Sequence, residues 1–244
     1  MSGSTLALVI PAFNPAAGLP DLARSMVEAD PSLFVAVVVV DDGSRPECAG
    51  IFQAVQRGPR AVVVHRETNG GKGAALKLGF AHVLRGWPDL AGVVTADADG
   101  QHAPSDVARV ARALAAAPDR LVLGVRAFVG RVPLRSRVGN VVTRALFRLA
   151  TGTAIGDTQT GLRGWPRAHM ERALDLPGNG FEFELEALFD ALDGPITQLA
   201  IETIYSKANE SSHFRPLQDS LRIYRVLARH AVRRKTSSKL KVKS

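Results

Sequence analysis

The stretch Phe34-Val-Ala-Val-Val-Val-Val-Asp41-Asp42-Gly43-Ser44 governs how the rest of the chain is read. With Leu33 it forms the longest uninterrupted apolar run, and two carboxylates and a glycine stop it. A short, β-branched run without alternation reads as a strand buried on both faces, the kind found in parallel sheets covered by helices. The pattern recurs at Leu6–Ile10, Ala61–His65, Gly92–Ala96 and Leu121–Val125, each followed by polar or glycine residues. Helix-like intervals separate them: Gly18–Ala29, Pro46–Arg57, Gly73–Leu84 and Ser105–Ala117. In the third, Leu76, Phe80 and Val83 recur at helical spacing; in the fourth, Ser105-Asp106 after Pro104 makes an N-terminus. The alternation predicts an α/β fold, a mostly parallel central sheet with helices on both faces. The second half is less regular. Pro133–Leu149 carries an apolar helical face of Val138, Val142, Leu146 and Leu149, Gly156–Arg163 reads as polar and turn-rich, a helix starts in acids at Phe181–Glu186, and Ile196–Tyr205 reads as an edge strand.

Composition bounds the function. The chain has 244 residues, 46% of them hydrophobic and 22% charged, values of a globular domain. Cys48 is the single cysteine, which excludes a disulfide framework and a cysteine-based zinc cluster. No apolar run approaches the roughly 20 residues that a membrane-spanning helix needs. The N-terminus lacks the basic flank and apolar core of a secretory signal, so a cytoplasmic protein is expected. The formal charge of +8 is concentrated at one end. Residues 215–244 hold ten Lys and Arg against a single acid, Asp219, so the body is close to neutral. With aromatics at only 6%, this is not the pattern of a nucleic-acid-binding face.

Parallel sheets bind ligands beyond the C-terminal ends of their strands. There the sequence places Pro11-Ala12-Phe13-Asn14, Asp41-Asp42-Gly43-Ser44, Asp97-Ala98-Asp99-Gly100-Gln101-His102 and Gly124-Val125-Arg126. Any one of these is an ordinary strand-ending turn; several on one rim point to a site. Asp97 and Asp99, two residues apart after a buried strand, can approach one divalent cation, and Gln101 adds a third oxygen on the same side. Mg²⁺ or Mn²⁺ is the expected metal, completed by substrate phosphates. Asn69-Gly70-Gly71-Lys72-Gly73 is neither a P-loop, since Arg66 stands where its first glycine belongs, nor a dinucleotide fingerprint. It reads as a glycine-rich helix start with close backbone approach, and Lys72 near substrate. His102 is a candidate base, although a turn histidine is more often structural.

Ile10-Pro11-Ala12-Phe13-Asn14, Val39-Val40-Asp41-Asp42-Gly43-Ser44, Asn69–Ala75 and Asp97–His102, in this order and spacing, resemble the family 2 glycosyltransferases of the GT-A fold. The likeness is strongest to the branch of dolichyl-phosphate mannose synthase and covers about residues 5 to 215; Asp157–Arg163 and Phe181–Glu186 resemble that branch's acceptor side. The resemblance implies a nucleotide-sugar site of Pro11, Ala12, Phe13, Asn14, Asp41, Asp42, Lys72, Asp97, Ala98, Asp99 and Arg215. It makes Asp97, Asp99 and Gln101 the metal ligands. Asp99, Arg126 and Arg135 become the catalytic set, with Arg137 as the alternative to Arg135, and Asn209–Arg215 a mobile segment near the site. Pro15 replaces a glutamate common in relatives, which leaves a GDP- or UDP-linked donor open.

The implied organisation is a GT-A domain over residues 1–218, a basic amphipathic helix over 219–235 and a disordered basic tail over 236–244. In that helix Arg222, Arg225, Arg229 and Arg233 form a stripe opposite Ile223, Tyr224, Leu227, Ala228 and Ala231. Such a helix suits an anionic membrane surface, or packs on the body by its apolar face. The function expected is a metal-dependent, inverting transfer of a hexose from a nucleotide sugar to a polyprenyl (dolichyl or undecaprenyl) phosphate. It would take place on the inner face of the membrane, by a peripheral enzyme or with a membrane-anchored partner subunit. The alternatives are a glycan or other soluble acceptor, and a non-catalytic docking subunit of the same fold.

Overall fold

The computed structural model describes residues 6–126, 134–202 and 220–231, the side chains of residues 134–140 excepted. The elements run β1 (Leu6–Ala12), α1 (Leu19–Glu28), β2 (Phe34–Asp41), α2 (Ala49–Gln56), β3 (Ala61–His65), α3 (Lys72–Gly86), β4 (Gly92–Thr95) and α4 (Pro104–Ala116). They continue as β5 (Leu121–Arg126), α5 (Leu134–Thr151), β6 (Arg163–Pro166), α6 (Arg167–Ala173), α7 (Glu182–Asp190) and β7 (Ile196–Ile201). A further helix, α8, occupies 220–231.

The sheet has the order β3-β2-β1-β4-β6-β5-β7. Every pairing is parallel except those of β6, which runs antiparallel to β4 and β5 on either side. Alternate residues of the inner strands feed opposite faces, as strand geometry demands. Val38 and Val40 join the core under α3, α6 and α7, while Val37 and Val39 join the core under α1, α2 and α4. Phe80, Trp165 and Phe183 form an aromatic stack in the first core, with ring centroids 5.1 and 6.3 Å apart. Each such ring contributes about 1.5–3 kcal/mol by leaving water.

The first five predicted strands and first four helices are present, within a residue or two at each boundary except at the start of the second helix, where a 3-10 turn over Pro46–Cys48 precedes α2, and β7 lies at the sheet edge. Two elements depart from the sequence reading. Arg163-Gly-Trp-Pro166, of which only Arg163 falls in the expected turn-rich stretch, is a fully buried strand: Arg163 satisfies its guanidinium internally, so a charge enters the core without a hydrophobic pattern to announce it. On α5 the expected apolar face is the wrong stripe. Thr143, Phe147 and Ala150 are buried, whereas Leu149 is 84% exposed and Val141, Val142 and Leu146 are exposed beside it. Phe147 decides the rotation because its ring meets Phe189 of α7 at 4.9 Å.

α8 rests on α7 through Ile223, Val226 and Leu227, with Tyr224 and Ala228 exposed rather than packed. Arg229, assigned to an outward stripe, instead pairs with the buried Glu186, and His230 Nε2 lies 2.9 Å from the same carboxylate. The expected tail over 236–244, Arg233, Arg215 with the segment Asn209–Arg215, and the side chains of Arg135 and Arg137 lie outside the described residues.

Candidate active site

The loops beyond β1, β2 and β3 are tied together by short polar side chains. The Asn14 backbone N–H donates to Ser44 Oγ at 2.9 Å, and Asn14 Oδ1 accepts from the Arg45 N–H at 2.9 Å. Asn14 takes a left-handed conformation, φ 45°, that asparagine tolerates better than most residues. Asp41 accepts from the Ser44 N–H at 2.9 Å and faces His65 Nδ1 at 2.9 Å. Asp42 accepts the N–H groups of Gly70 and Gly71, at 3.0 and 2.7 Å, and so fixes the turn into α3. Burial pushes the Asp42 carboxyl above its ordinary range, against the pull of those two N–H groups. Gly71 is required there: its φ is +95°, and a Cβ would stand 2.5 Å from the carbonyl oxygen of Asn179. Pro11 and Ala12 close β1 on the same rim, next to Phe13.

That turn delivers Lys72, the first residue of α3, to the centre of the rim. Its ammonium lies 2.7 Å from Asp97 Oδ1 and 2.9 Å from Glu184 Oε2 of α7. Burial alone would lower the lysine pKa; Asp97 and Glu184 outweigh it and hold the group charged, above the usual range. Asp97 is likewise held well below the carboxylate range, because Lys72 and His102 overcome the penalty of burial. His102 is buried, with Nε2 3.4 Å from Asp97 Oδ2. Asp99 is the opposite case: burial, then the neighbouring Asp97 charge, raise its carboxyl, although its Oδ1 accepts the Gln101 N–H at 3.0 Å. Ala98, between the two acids, packs against the core beneath.

The far side is built by residues 157–163. Asp157, fully buried, receives Arg126 through Nε at 2.5 Å and Nη2 at 3.1 Å, a bidentate pair that fixes the guanidinium plane at the end of β5. Arg163 donates to the carbonyls of Thr160, Thr158 and Glu184 at 2.8, 3.2 and 2.6 Å, so one buried cation shapes both this loop and α7. The loop brings Gly161 against Asp97, where a Cβ would lie 2.2 Å from Oδ2. Thr95 Oγ1 donates to the Gly161 carbonyl at 2.9 Å and accepts Trp165 Nε1–H at 3.1 Å.

The structure thus brings Lys72, Asp97, Asp99, Gln101 and His102 together, and sets Arg126 on the same rim in the grip of Asp157. Sequence reading passed over Glu184, Asp157 and Arg163 as individual site residues. The acids of Phe181-Glu-Phe-Glu-Leu-Glu186 alternate with apolar residues, which on a helix sets Glu184 on the side opposite Glu182 and Glu186. Some of them must therefore enter the core, and that signal was available.

The donor types suit a hard divalent cation: the carboxylates of Asp97 and Asp99, with the amide of Gln101 beside them in sequence. Among the described residues no group of three or more His, Cys, Asp or Glu is arranged as a metal site. Such a shell is partial, of the kind that substrate phosphate oxygens complete. Among the described residues, no helix is long and apolar enough to cross a membrane.

Comparison with known proteins bears on the family and the fold. Residues 7–170 match the family model "Glycosyl transferase family 2". A polyprenol monophosphomannose synthase of Mycolicibacterium smegmatis is 32% identical over 84% of this chain and 81% of its own length. A UDP-N-acetylglucosamine–dolichyl-phosphate N-acetylglucosaminyltransferase of Methanococcus voltae is 26% identical over 85% and 88%. An undecaprenyl-phosphate 4-deoxy-4-formamido-L-arabinose transferase of Sodalis glossinidius is 35% identical over 69% of this chain, which spans about half, 51%, of that relative. Among solved structures, glucosyl-3-phosphoglycerate synthase from Mycobacterium tuberculosis, in complex with Mn²⁺, UDP-glucose and phosphoglyceric acid, shares the fold. It has a TM-score of 0.72 at 22% identity, covering 94% of this chain and 80% of that one. With its acidic rim on a mostly parallel seven-stranded sheet, this chain belongs to glycosyltransferase family 2 and is a glycosyltransferase of the GT-A fold.

Proposed function

We propose that this enzyme transfers a hexose from a nucleotide sugar to a polyprenyl phosphate at the inner, cytoplasmic face of a membrane, with inversion and with Mg²⁺ or Mn²⁺. The observation that carries the reading is the pair Asp97 and Asp99 close together on the rim, with burial and the Asp97 charge raising the Asp99 carboxyl. Asp97, Asp99 and Gln101 would hold the metal; when bound, it offsets the negative charge that develops on the leaving diphosphate. The nucleoside would lie over Pro11–Asn14 and Asp41-Asp42, whose loops are already fastened to one another. Arg126, oriented by Asp157, would meet a phosphate. An acceptor phosphate oxygen is anionic near neutral pH, so no side chain has to remove a proton from it. His102, enclosed against Asp97, then has a positioning role.

The names of the sequence relatives favour a lipid phosphate over a soluble acceptor. So does the surface. Val141, Val142, Leu146 and Leu149 leave an apolar stripe of α5 uncovered, with Arg144 and Arg148 on the same helix. α8 adds Leu221 and Tyr224, exposed beside Arg222 and Arg225. Apolar side chains among arginines are what an anionic bilayer surface takes up. Residues 1–218 would be the catalytic domain, and 219–235 the basic helix that meets the membrane.

The test is a matrix of GDP- and UDP-hexoses with Mn²⁺ against detergent-dispersed polyprenyl phosphate or water-soluble phosphorylated acceptors. A lipid-linked product supports the proposal. Transfer confined to a water-soluble acceptor overturns it, and no turnover of any donor favours the non-catalytic alternative.

A further inference from the structure

Asp97 has two suitors. It is the first carboxylate of the proposed cation site, and its Oδ1 is already 2.7 Å from the Lys72 ammonium. From this geometry we infer that Lys72 is an internal counter-ion that competes with the divalent cation for Asp97, and that Glu184 is the seat it keeps when the cation arrives. The inference rests on the metal-dependent reading above.

Three observations carry it. Asp97 is wedged: the Gly161 backbone stands against one flank, where even a Cβ would come 2.2 Å from Oδ2, and His102 Nε2 lies 3.4 Å from that same oxygen. The carboxylate is hemmed on that flank, whereas the lysine has a long side chain with a second acceptor within reach, so the lysine is the group that moves. Lys72 has somewhere to go, being 2.9 Å from Glu184 Oε2 already. Glu184 also has acceptor capacity in reserve: its Oε1 is buried, accepts no hydrogen bond among the described residues, and has Arg163 Nε no nearer than 4.0 Å. An ammonium with three donors can exchange Asp97 for that second oxygen. A diphosphate arriving with the cation offers the lysine a further anionic partner, so cation and nucleotide each tighten the other's binding.

Removing Lys72 alone would strand Glu184 as an unpaired buried charge and would attract any cation electrostatically. The decisive variant is therefore K72M/E184Q, which frees Asp97 while leaving the net charge of the cluster unchanged. Mn²⁺ binding, followed by the paramagnetic resonance of the free ion, is measured with and without UDP or GDP. The double variant should bind Mn²⁺ alone about tenfold more tightly than the wild type, the scale of one charge-assisted hydrogen bond. Its cation–nucleotide coupling should shrink as well. Wild-type Mn²⁺ binding with no gain in a folded double variant overturns the inference and leaves the metal reading intact. Absence of Mn²⁺ binding in both proteins, with or without nucleotide, overturns both. Should the variant not fold, the Nζ resonance of Lys72 in the wild type decides: it should shift on saturation with Mg²⁺, and an unmoved signal refutes the exchange.

Discussion

Gly161→Ala tests whether the wedge against Asp97 matters. The new Cβ would stand 2.2 Å from Oδ2 and 2.5 Å from both Oδ1 and Cγ, whereas ordinary contact begins near 3.4 Å. Gly161 does not sit in the left-handed region, so alanine introduces a contact and no backbone strain. The Gly161 carbonyl is pinned by Thr95 Oγ1 at 2.9 Å, so the carboxylate is the group to yield, by about 1 Å. Asp97 keeps 28% side-chain exposure and can yield toward solvent, so the fold loses only about 1 kcal/mol, the low end of overpacking costs. In a chain of this size that is about 2–4 °C in Tm. A misplacement of this size in a site group costs about 10²-fold in rate. The assay pairs hexose transfer, as kcat/KM, with thermal unfolding. A variant that keeps wild-type kcat/KM shows that the position of Asp97 does not control turnover, and the reasoning fails there.

Further outcomes follow from the same contacts. Asp99→Asn should abolish turnover yet raise the metal-free Tm at pH 7.5, because burial and Asp97 hold the folded carboxyl above its unfolded pKa and make the ionised form a native-state burden. That advantage should vanish as the pH falls through the raised pKa and the wild type takes up the proton; an equal Tm at both pH values contradicts the shift. Thr95→Val, nearly isosteric, leaves Trp165 Nε1–H and the Gly161 carbonyl without partners, and should cost about 2–4 kcal/mol in urea unfolding. A loss under about 0.5 kcal/mol would mean both groups find other partners. Glu186→Leu removes the partner of Arg229 and His230, and tryptic cleavage after Arg222 and Arg225 should then quicken about tenfold through local opening of α8. Unchanged cleavage shows that packing of Ile223, Val226 and Leu227 alone holds the helix.

What the sequence revealed and what it concealed have physical reasons. The inner strands were legible because a parallel strand buried on both faces has no choice but to be apolar, as Phe34–Val40 is. The rim was legible because each of those strands ends in the same place, so Asn14, Asp42, Asp97 and Arg126 could be set together without knowing any distance. β6 was not, since Arg163 is fully buried yet satisfied by the carbonyls of Thr158, Thr160 and Glu184, contacts that only the folded chain supplies. The rotation of α5 was not, because the helix carries two apolar stripes, and the choice between them belongs to Phe189, about forty positions downstream. The attachment of Lys72 to Asp97 was also hidden. A glycine-rich helix start announces a close approach but not what is approached, and here Gly71 and Gly73 let α3 settle against Asn179 and Phe183.

α7 explains why the least regular part of the sequence matters most to the site. Residues two apart on a helix point about 200° from each other, nearly opposite ways. Glu184 therefore reaches Lys72 at the rim while Glu186 reaches Arg229 and His230 of α8. Phe183 and Phe189 secure the same helix against Trp165 and Phe147, so every residue from Phe183 to Phe189 is buried. A helix enclosed on all sides, with Glu184 and Glu186 paired on opposite ones, cannot rotate to favour one partner without abandoning the other. Whatever moves α8 against α7 acts on the helix that seats Lys72. The proposed membrane-facing surface and the acidic rim therefore share one rigid support. That predicts a measurable link: Glu186→Leu, which touches no rim residue, should still change the Mn²⁺ affinity of the metal-free enzyme. An affinity identical to the wild type in the same resonance titration would show that α7 holds both ends without coupling them.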